Sequence, residues 1–173
     1  MIITVSGLTG SGKNTIGELL AKKLGYSVVS PTFKDLAKKE GISLMQFQKK
    51  AENDHSIDRK FDELLKEQAA KGNCIVTTWL APWILDADFR VYLDVSLATR
   101  AKRIAKRDSM SEKEALKHVT ERDNGNRKRY LDVYNIDIFD RKKFDLIVKN
   151  ENSTPEEIVE EIIKKLKISR MLS

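Results

Sequence analysis

The feature that most constrains this chain is a glycine-rich stretch near its start, Gly7–Thr15, which reads GLTGSGKNT. A short apolar run, Ile2–Val5, precedes it, and an amphipathic pattern that ends at Gly25 follows it. Strand, glycine loop and helix in this order turn successive backbone N–H groups, and the positive end of a helix, towards one point. The stretch therefore predicts a phosphate-binding loop in which Lys13 supplies a point charge.

The loop departs from the common pattern G-x-x-x-x-G-K-[ST] at one position. Asn14 stands where Ser or Thr is usual, and Thr15 follows one residue later. We expect Thr15 to bind a phosphate oxygen or to hold Mg²⁺ through water, and the alternative is a glycine-rich turn that binds nothing. The predicted phosphate-binding residues are Gly7, Leu8, Thr9, Gly10, Ser11, Gly12, Lys13, Asn14 and Thr15.

Composition restricts the class of protein. The chain has 173 residues, of which 40% are hydrophobic and 34% charged, as expected for one globular domain spanning residues 1–173. Its single cysteine, Cys74, lies in an apolar run, which predicts a buried thiol and suits a reducing, cytoplasmic compartment. No signal peptide or membrane-spanning apolar run is expected.

The net charge of +6 is concentrated in one segment. Residues 100–130 contain eleven Lys or Arg and five Asp or Glu. Such a basic segment is typical of a nucleic-acid surface or of a polyphosphate site. The glycine loop already predicts a phosphate ligand, so the second interpretation needs fewer assumptions and a nucleic-acid partner is not expected.

Hydrophobic periodicity predicts an α/β fold. Apolar or β-branched segments predict five strands, at residues 2–5, 26–30, 74–79, 89–95 and 144–149. Amphipathic segments predict helices at residues 16–24, 33–40, 43–53, 56–71, 97–107, 112–134 and 155–167, the sixth weakened by Asn124-Gly125-Asn126. The alternation predicts a five-stranded parallel sheet with helices on both faces and the loop at its carboxyl edge.

At this point the chain resembles the nucleoside monophosphate kinases, and more narrowly the cytidylate kinases of the short archaeal type. Four stretches carry the resemblance: Gly7–Thr15, Lys34–Gly41, residues 54–62 with Ser56-Ile57-Asp58-Arg59, and Glu121-Arg122-Asp123 leading to Arg129-Tyr130. The resemblance implies the three-layer fold of phosphate-loop NTPases. It also implies a monophosphate-binding insertion at about residues 31–72 and a lid at about residues 107–130.

The reaction implied by the resemblance is transfer of the ATP γ-phosphoryl group, with Mg²⁺, to a nucleoside monophosphate such as CMP or dCMP. Catalysis of this kind is mainly positioning and neutralisation of charge. The catalytic residues expected are Lys13 from the loop and Arg122, Arg127 and Arg129 from the lid. Charge pattern alone would favour a solvated helix face for these arginines, and the resemblance favours the catalytic role.

The acceptor side departs from the family. Thr77-Thr78-Trp79 stands where relatives have an acidic residue, Gly and Arg, and Lys34 stands where they have a second Arg. Lysine replaces the charge of arginine but not its two-pronged hydrogen bonding. The substrate-binding residues expected are Ser30, Lys34, Asp58, Arg59 and Trp79.

Two alternatives stay open. A kinase with a different small acceptor would explain the replaced arginines, as would a nucleotide-binding regulatory protein with little kinase activity. The lid arginines argue against the second alternative, because a protein that only binds needs no transition-state clamp. We expect the protein to bind its nucleoside monophosphate substrate and no membrane. We expect it to be a monomer or a homodimer.

Overall fold

A computed structural model describes residues 1–31, 33–43, 46–47, 50, 54 and 56–169, giving Phe33 and Lys34 as backbone alone. The strands are β1 (Ile2–Ser6), β2 (Ser27–Val29), β3 (Cys74–Val76), β4 (Phe89–Asp94) and β5 (Leu146–Lys149). The helices are α1 (Lys13–Leu24), α2 (Phe33–Lys39), α3 (Ser56–Ala69), α4 (Ala81–Ile84), α5 (Leu97–Asp108), α6 (Glu112–Tyr134) and α7 (Pro155–Ile168). Most of the helix predicted at residues 43–53 lies outside the described residues.

The strands form one parallel sheet in the order β2-β3-β1-β4-β5. In the central strand, Ile3 lies between Ile75 of β3 and Phe89 of β4. The predicted α/β class with a five-stranded parallel sheet is therefore confirmed. Because β1 and β4 are neighbours in the middle of the sheet, the loop after β1 and the helix after β4 emerge side by side at its carboxyl edge.

Alternating side chains bury the two faces of the sheet in separate cores. On one face, Ile3 and Val5 pack with Leu20 of α1 and with Ile158 and Ile162 of α7. On the other face, a second cluster combines residues of β2 and β3 with residues of α3 and α4: Val29, Cys74, Val76, Leu65, Ala69 and Ala81. A third cluster lies between α5 and α6, which form a helical hairpin. Helices thus cover both sides of the sheet, as predicted.

The third predicted strand is too long. β3 ends at Val76, whereas the apolar run had predicted a strand up to Trp79. The hydroxyl of Thr78 accepts a hydrogen bond from the Ala81 amide at 3.2 Å, and the chain turns into the short helix α4 with Pro82 in its first turn. Pro82 has no N–H to donate, so a helix start suits this segment better than a longer strand.

The long helix α6 is continuous through Asn124-Gly125-Asn126, despite the weak propensity of that stretch. A capping box in which Ser111 and Glu114 bond each other's backbone amides starts it. Thr154 and Glu157 form the same motif at the start of α7. Among the described residues, no helix has both the length and the apolar character that crossing a bilayer requires.

Two helical glycines offer a test of how closely α1 packs on the sheet. A Cβ added to Gly17 would lie 2.2 Å from Cγ2 of Thr77, whereas a Cβ added to Gly125 meets nothing within 4 Å. We expect Gly17→Ala to lower the free energy of unfolding by about 1–3 kcal/mol through overpacking. Gly125→Ala should raise it by about 0.5–1 kcal/mol through helix propensity.

Urea denaturation of the two variants and the wild type, followed by circular dichroism, checks this pair. Both substitutions add one methyl group to a helical glycine, so both gain the same helix propensity. Opposite changes in the free energy of unfolding would therefore show the effect of packing at Gly17. Equal effects of the two substitutions would mean that α1 does not pack closely against β3.

Candidate active site

The phosphate loop leaves β1 after Ser6 and enters α1 at Lys13, with Gly12 at the helix start in a left-handed conformation. Gly10 also has a positive φ, of 80°, and a Cβ there would lie 2.8 Å from the carbonyl oxygen of Arg100. A larger residue would therefore be strained by its backbone and would collide with α5. The loop is held tightly between its own helix and the helix that follows β4.

A cavity of about 340 Å³ opens over this loop. Four cationic side chains from three different helices reach it: Lys13, Arg103, Arg107 and Arg122. The other lining residues are Thr9, Gly10, Gly12, Asn14, Thr15, Trp79 and Ile104. A cavity with this concentration of positive charge is suited to a polyphosphate.

The ammonium group of Lys13 lies 5.0 Å from the ring centre of Trp79, a cation–π contact. Burial, and next the charge of Arg122, lower the pKa of Lys13 from 10.5 to about 8. The charge of Asp123 acts in the opposite direction. Burial and neighbouring arginines thus disfavour the charged form of Lys13, and an anion in the cavity would raise its pKa again.

The outward-facing carbonyls of the loop are bound from behind by other parts of the chain. Nη1 of Arg100 donates to the Thr9 carbonyl at 3.0 Å. The Ser11 carbonyl accepts from Nδ2 of Asn150 at 3.0 Å and from Nη1 of Arg103 at 3.3 Å. Because C=O and N–H point in opposite directions in a trans peptide, these bonds direct the amides of Gly10 and Gly12 away from α5.

An ion pair lies beneath the loop. Arg100 and Asp123 are 6% and 4% exposed, and their closest N and O atoms are 2.5 Å apart. The second carboxylate oxygen of Asp123 accepts a hydrogen bond from the Thr9 amide at 3.1 Å. Removing one partner of such a buried pair typically costs about 3–5 kcal/mol, because the remaining charge has no compensation.

The loop also contains polar atoms that the protein itself leaves without a partner. Among the described residues, the buried hydroxyls without a hydrogen-bond partner are those of Thr4, Thr9, Ser11 and Thr77. Buried hydroxyls are normally bonded. Of these four residues Thr9 lines the cationic cavity, so its hydroxyl fits a phosphate group bound at this place.

The residues that line the cavity suit Mg²⁺ bound mainly through substrate phosphates rather than through a cluster of protein ligands. Among the described residues, no group of three or more His, Cys, Asp or Glu side chains could hold a metal ion. Thr15 is exposed and lines the cavity. Mg²⁺ usually keeps several waters and is bound through substrate phosphates with few protein ligands. Thr15 would hold the ion together with those phosphates, and the metal would supply neutralisation of their charge.

The three predicted lid arginines have different surroundings. Arg122 is exposed and lines the cavity. Arg127 instead forms a two-pronged pair with Asp137, at 2.6 and 2.9 Å, and lies over the ring of Phe139. Arg129 hydrogen-bonds both carboxylate oxygens of Asp58, at 2.8 and 3.0 Å.

The predicted acceptor residues are also dispersed. Asp58 is buried on α3 and joined to α6 through Arg129, while Arg59 and Ser30 are exposed and do not line the cavity. The side chain of Lys34 lies outside the described residues. Trp79 lines the cavity on the side of Lys13, so its contact in this structure is with the phosphate loop.

The sequence model of the cytidylate kinase-like family matches residues 2–152. The chain belongs to this family. The cytidylate kinase of Sulfurisphaera tokodaii is 40% identical over 163 residues, which cover 91% of each chain. That of Pyrobaculum aerophilum is 43% identical over 152 residues, covering 86% of this chain and 83% of the relative.

Solved structures agree on the fold. The shikimate kinase of Bacteroides thetaiotaomicron superposes with a TM-score of 0.64, covering 96% of this chain and 98% of its own, at 16% identity. Identity this low shows the fold alone. The expected resemblance to the cytidylate kinases, and the phosphate-loop kinase fold, are both confirmed.

Sequence reasoning missed the residues behind the loop, Arg100 and Asn150, and gave Asp123 no role of its own. The sequence did contain one indication that these residues act together. Arg100 and Arg103 are three residues apart and so lie on one face of a helix. It was not sufficient, since α5 also contains the exposed cations Lys102 and Lys106, which do not line the cavity. Which of them is buried depends on the position of α5 against the loop.

The depressed pKa of Lys13 predicts a pH dependence. Between about pH 8 and 10, the unfolded chain keeps a proton on Lys13 that the folded chain has lost. The free energy of unfolding should therefore gain a contribution that rises with pH in this window. Urea denaturation of the ligand-free wild type and of Lys13→Met, at several pH values from 7 to 10, measures it.

The contribution of Lys13 is obtained by plotting the free energy of unfolding against pH for both proteins and subtracting the Lys13→Met values from those of the wild type. Burial raises the pKa of the Cys74 thiol, which lowers stability as pH rises above 9 in both proteins and cancels in the difference. Tyr130, whose pKa burial raises to about 12, is likewise common to both. A difference curve that is flat or falls between pH 8 and 10 would contradict the assignment.

Proposed function

We propose that this protein transfers the γ-phosphoryl group of ATP to a nucleoside monophosphate, with CMP or dCMP as the preferred acceptor. The observation that carries the proposal is the convergence of the phosphate loop, Lys13 and Arg122 on one cavity. Family membership adds to it, because relatives named cytidylate kinase match about nine-tenths of the chain. A cationic cavity alone would fit any polyphosphate, and the relatives narrow the reaction class.

In this proposal the loop amides, Lys13 and Thr15 bind the donor phosphates. Lys13 and Arg122 offset the negative charge of the group in transfer, from the loop side and the lid side. Mg²⁺, when bound with ATP, supplies further neutralisation of phosphate charge. Arg103 and Arg107 extend the cationic wall of the same cavity and would contact the donor.

The acceptor would bind between the lid helix α6 and the insertion helix α3. Arg129 bonds Asp58 across this boundary, and the hydroxyl of Tyr134 bonds Asp62 one turn further along α3. We propose that the insertion spans about residues 31–72 and the lid about residues 107–130. Asp58 and Arg59 would serve acceptor binding from the start of α3, with Ser30 and Lys34 from the segment after β2.

One observation favours a different acceptor. Trp79 stands where the resemblance implies an acceptor-phosphate arginine, and it contacts Lys13. An indole ring carries no charge to pair with a phosphate, and losing one bidentate arginine typically costs on the order of 2 kcal/mol, about thirtyfold in binding. A nucleotide other than CMP, or another small phosphorylatable molecule, is therefore the second candidate.

A screen for ADP release with ATP, Mg²⁺ and each ribo- and deoxyribonucleoside monophosphate tests the proposal. We expect turnover that depends on the added monophosphate and is fastest with CMP or dCMP. The KM for CMP should lie well above the low micromolar range, because Trp79 offers the acceptor phosphate no charge. Lys13→Ala should abolish turnover while its circular dichroism spectrum stays that of the wild type.

Each other outcome of the screen has a distinct meaning. ATP turnover that no monophosphate stimulates would contradict the proposal and favour a nucleotide-binding regulator. Preference for a different base would keep the reaction and change the acceptor. Wild-type turnover in Lys13→Ala would show that the phosphate loop does not hold the transferring group.

Arg122 provides a second test. Arg122→Ala should lower kcat about a hundredfold or more, as loss of one transition-state donor typically does. The Kd for ATP should change much less, because the charge is needed mainly during transfer. Steady-state kinetics and calorimetric titration with ATP measure the two quantities.

The matched control is Lys128→Ala on the same helix. Lys128 is exposed and pairs with Asp132 at 3.5 Å, so this variant removes the same charge away from the cavity. It should keep kcat within about twofold, because exposed ion pairs contribute little. An Arg122→Ala variant whose ATP affinity falls with kcat unchanged would assign Arg122 to ground-state binding.

A further inference from the structure

We propose that Arg100 and Asp123 are a positioning pair: together they set the orientation of the phosphate-loop amides and anchor the middle of the proposed lid helix α6 beside the loop. The inference rests on the proposed function in one respect, that the loop binds the donor phosphates. Neither residue lines the cavity. Both would therefore act through the groups that they hold.

The geometry is a closed ring around one residue of the loop. Nη1 of Arg100 donates to the Thr9 carbonyl at 3.0 Å and to Oδ2 of Asp123 at 2.5 Å. Oδ1 of Asp123 accepts from the Thr9 amide at 3.1 Å. Nε of Arg100 donates to the Val95 carbonyl at 3.1 Å, which ties the ring to the end of β4. Both backbone polar groups of Thr9 are thus held by one buried ion pair.

This ring determines where the next amide points. The Thr9 carbonyl belongs to the same planar peptide as the Gly10 N–H, so binding one group to Arg100 turns the other away from α5. Gly10 lines the cavity and sits against the Arg100 backbone, where even a Cβ would be 2.8 Å from the carbonyl oxygen. The peptide therefore has little room to turn over while Arg100 is in place.

The same ring holds the middle of the proposed lid helix α6, where Arg122 faces the cavity. Asp123 immediately follows Arg122, which lines the cavity. Holding Asp123 against Thr9 therefore sets the distance between the Arg122 backbone and the loop before any ligand binds. Loop amides and lid cation are positioned together, which reduces the reorganisation that transfer would otherwise require.

A purely structural ion pair would affect stability and nothing else, so the test needs a second readout. Arg100→Lys keeps the charge beside Asp123, but one ammonium group cannot reproduce the guanidinium bonds to Thr9, Val95 and Asp123 together. Asp123→Asn keeps the size of the side chain and removes its charge. If Asp123→Asn fails to fold, Arg100→Lys still tests the proposal.

The control is Asp145→Asn. Asp145 directly precedes β5 and contacts the start of β4, at the opposite edge of the sheet from the loop. Asp145 accepts a hydrogen bond from the Arg90 amide at 2.7 Å and lies 4.0 Å from Nη1 of the same arginine. It therefore resembles Asp123 in having a backbone amide and an arginine as partners. It lies away from the cavity, so its loss should affect stability without changing the loop.

The measurements are the Kd for ADP by calorimetry, the melting temperature, and kcat and KM with ATP and CMP. We expect Arg100→Lys and Asp123→Asn each to raise the Kd for ADP about tenfold, as loss of an oriented donor does. Asp145→Asn should keep the Kd within about twofold, even where its melting temperature falls. Adding Arg122→Ala should lower kcat less in the Asp123→Asn background than in the wild type, because the two changes affect one unit.

The outcomes separate this inference from the proposed function. Folded Arg100→Lys and Asp123→Asn proteins with wild-type ADP affinity would overturn the positioning role, as would an equal loss in Asp145→Asn. A wild type that binds ADP but phosphorylates no monophosphate would overturn the proposed function, and the ADP results would still decide the positioning role. A wild type that binds no ADP would overturn both.

Discussion

The phosphate loop keeps its shape because side chains from elsewhere in the chain bind its outward-facing peptide groups. Arg100 from α5 and Asp123 from α6 hold the two backbone polar groups of Thr9, and Asn150 after β5 holds the Ser11 carbonyl. The glycines of the loop have no side chains that could serve this purpose. Ordering its backbone costs about 1–2 kcal/mol per residue, so the surrounding elements must supply the compensation.

Concentrated positive charge is the second constraint on this site. Arg122, Arg100 and Arg107 all lower the pKa of Lys13, after the larger effect of burial. Such repulsion opposes folding and favours any anion that enters the cavity. Phosphate groups would relieve it, so a ligand that binds the folded chain should also stabilise it. The site thus resembles others in which local stability is given up for binding.

The acceptor half of the proposed reaction depends on the contact between α3 and α6. Asp58 and Asp62 are one turn apart on α3, and Arg129 and Tyr134 of α6 bond them. Burial is the main cause that raises the pKa of Asp62. Trp79 contacts Lys13 of the phosphate loop.

The fold class, the phosphate loop and the family could be predicted from the sequence, because each depends on local patterns. Glycine spacing, hydrophobic periodicity and capping residues such as Ser111 act within a few residues of each other. Even so, local pattern predicted β3 three residues too long, since the Thr78 hydroxyl ends the strand by a contact with Ala81. Long-range packing decides that Arg100 is buried while Lys102 and Lys106 of the same helix are exposed. It also decides that Arg122 lines the cavity while Arg127 pairs with Asp137. A charged residue has the same local preferences in each of these places, so its role depends on which distant groups packing brings within hydrogen-bonding distance.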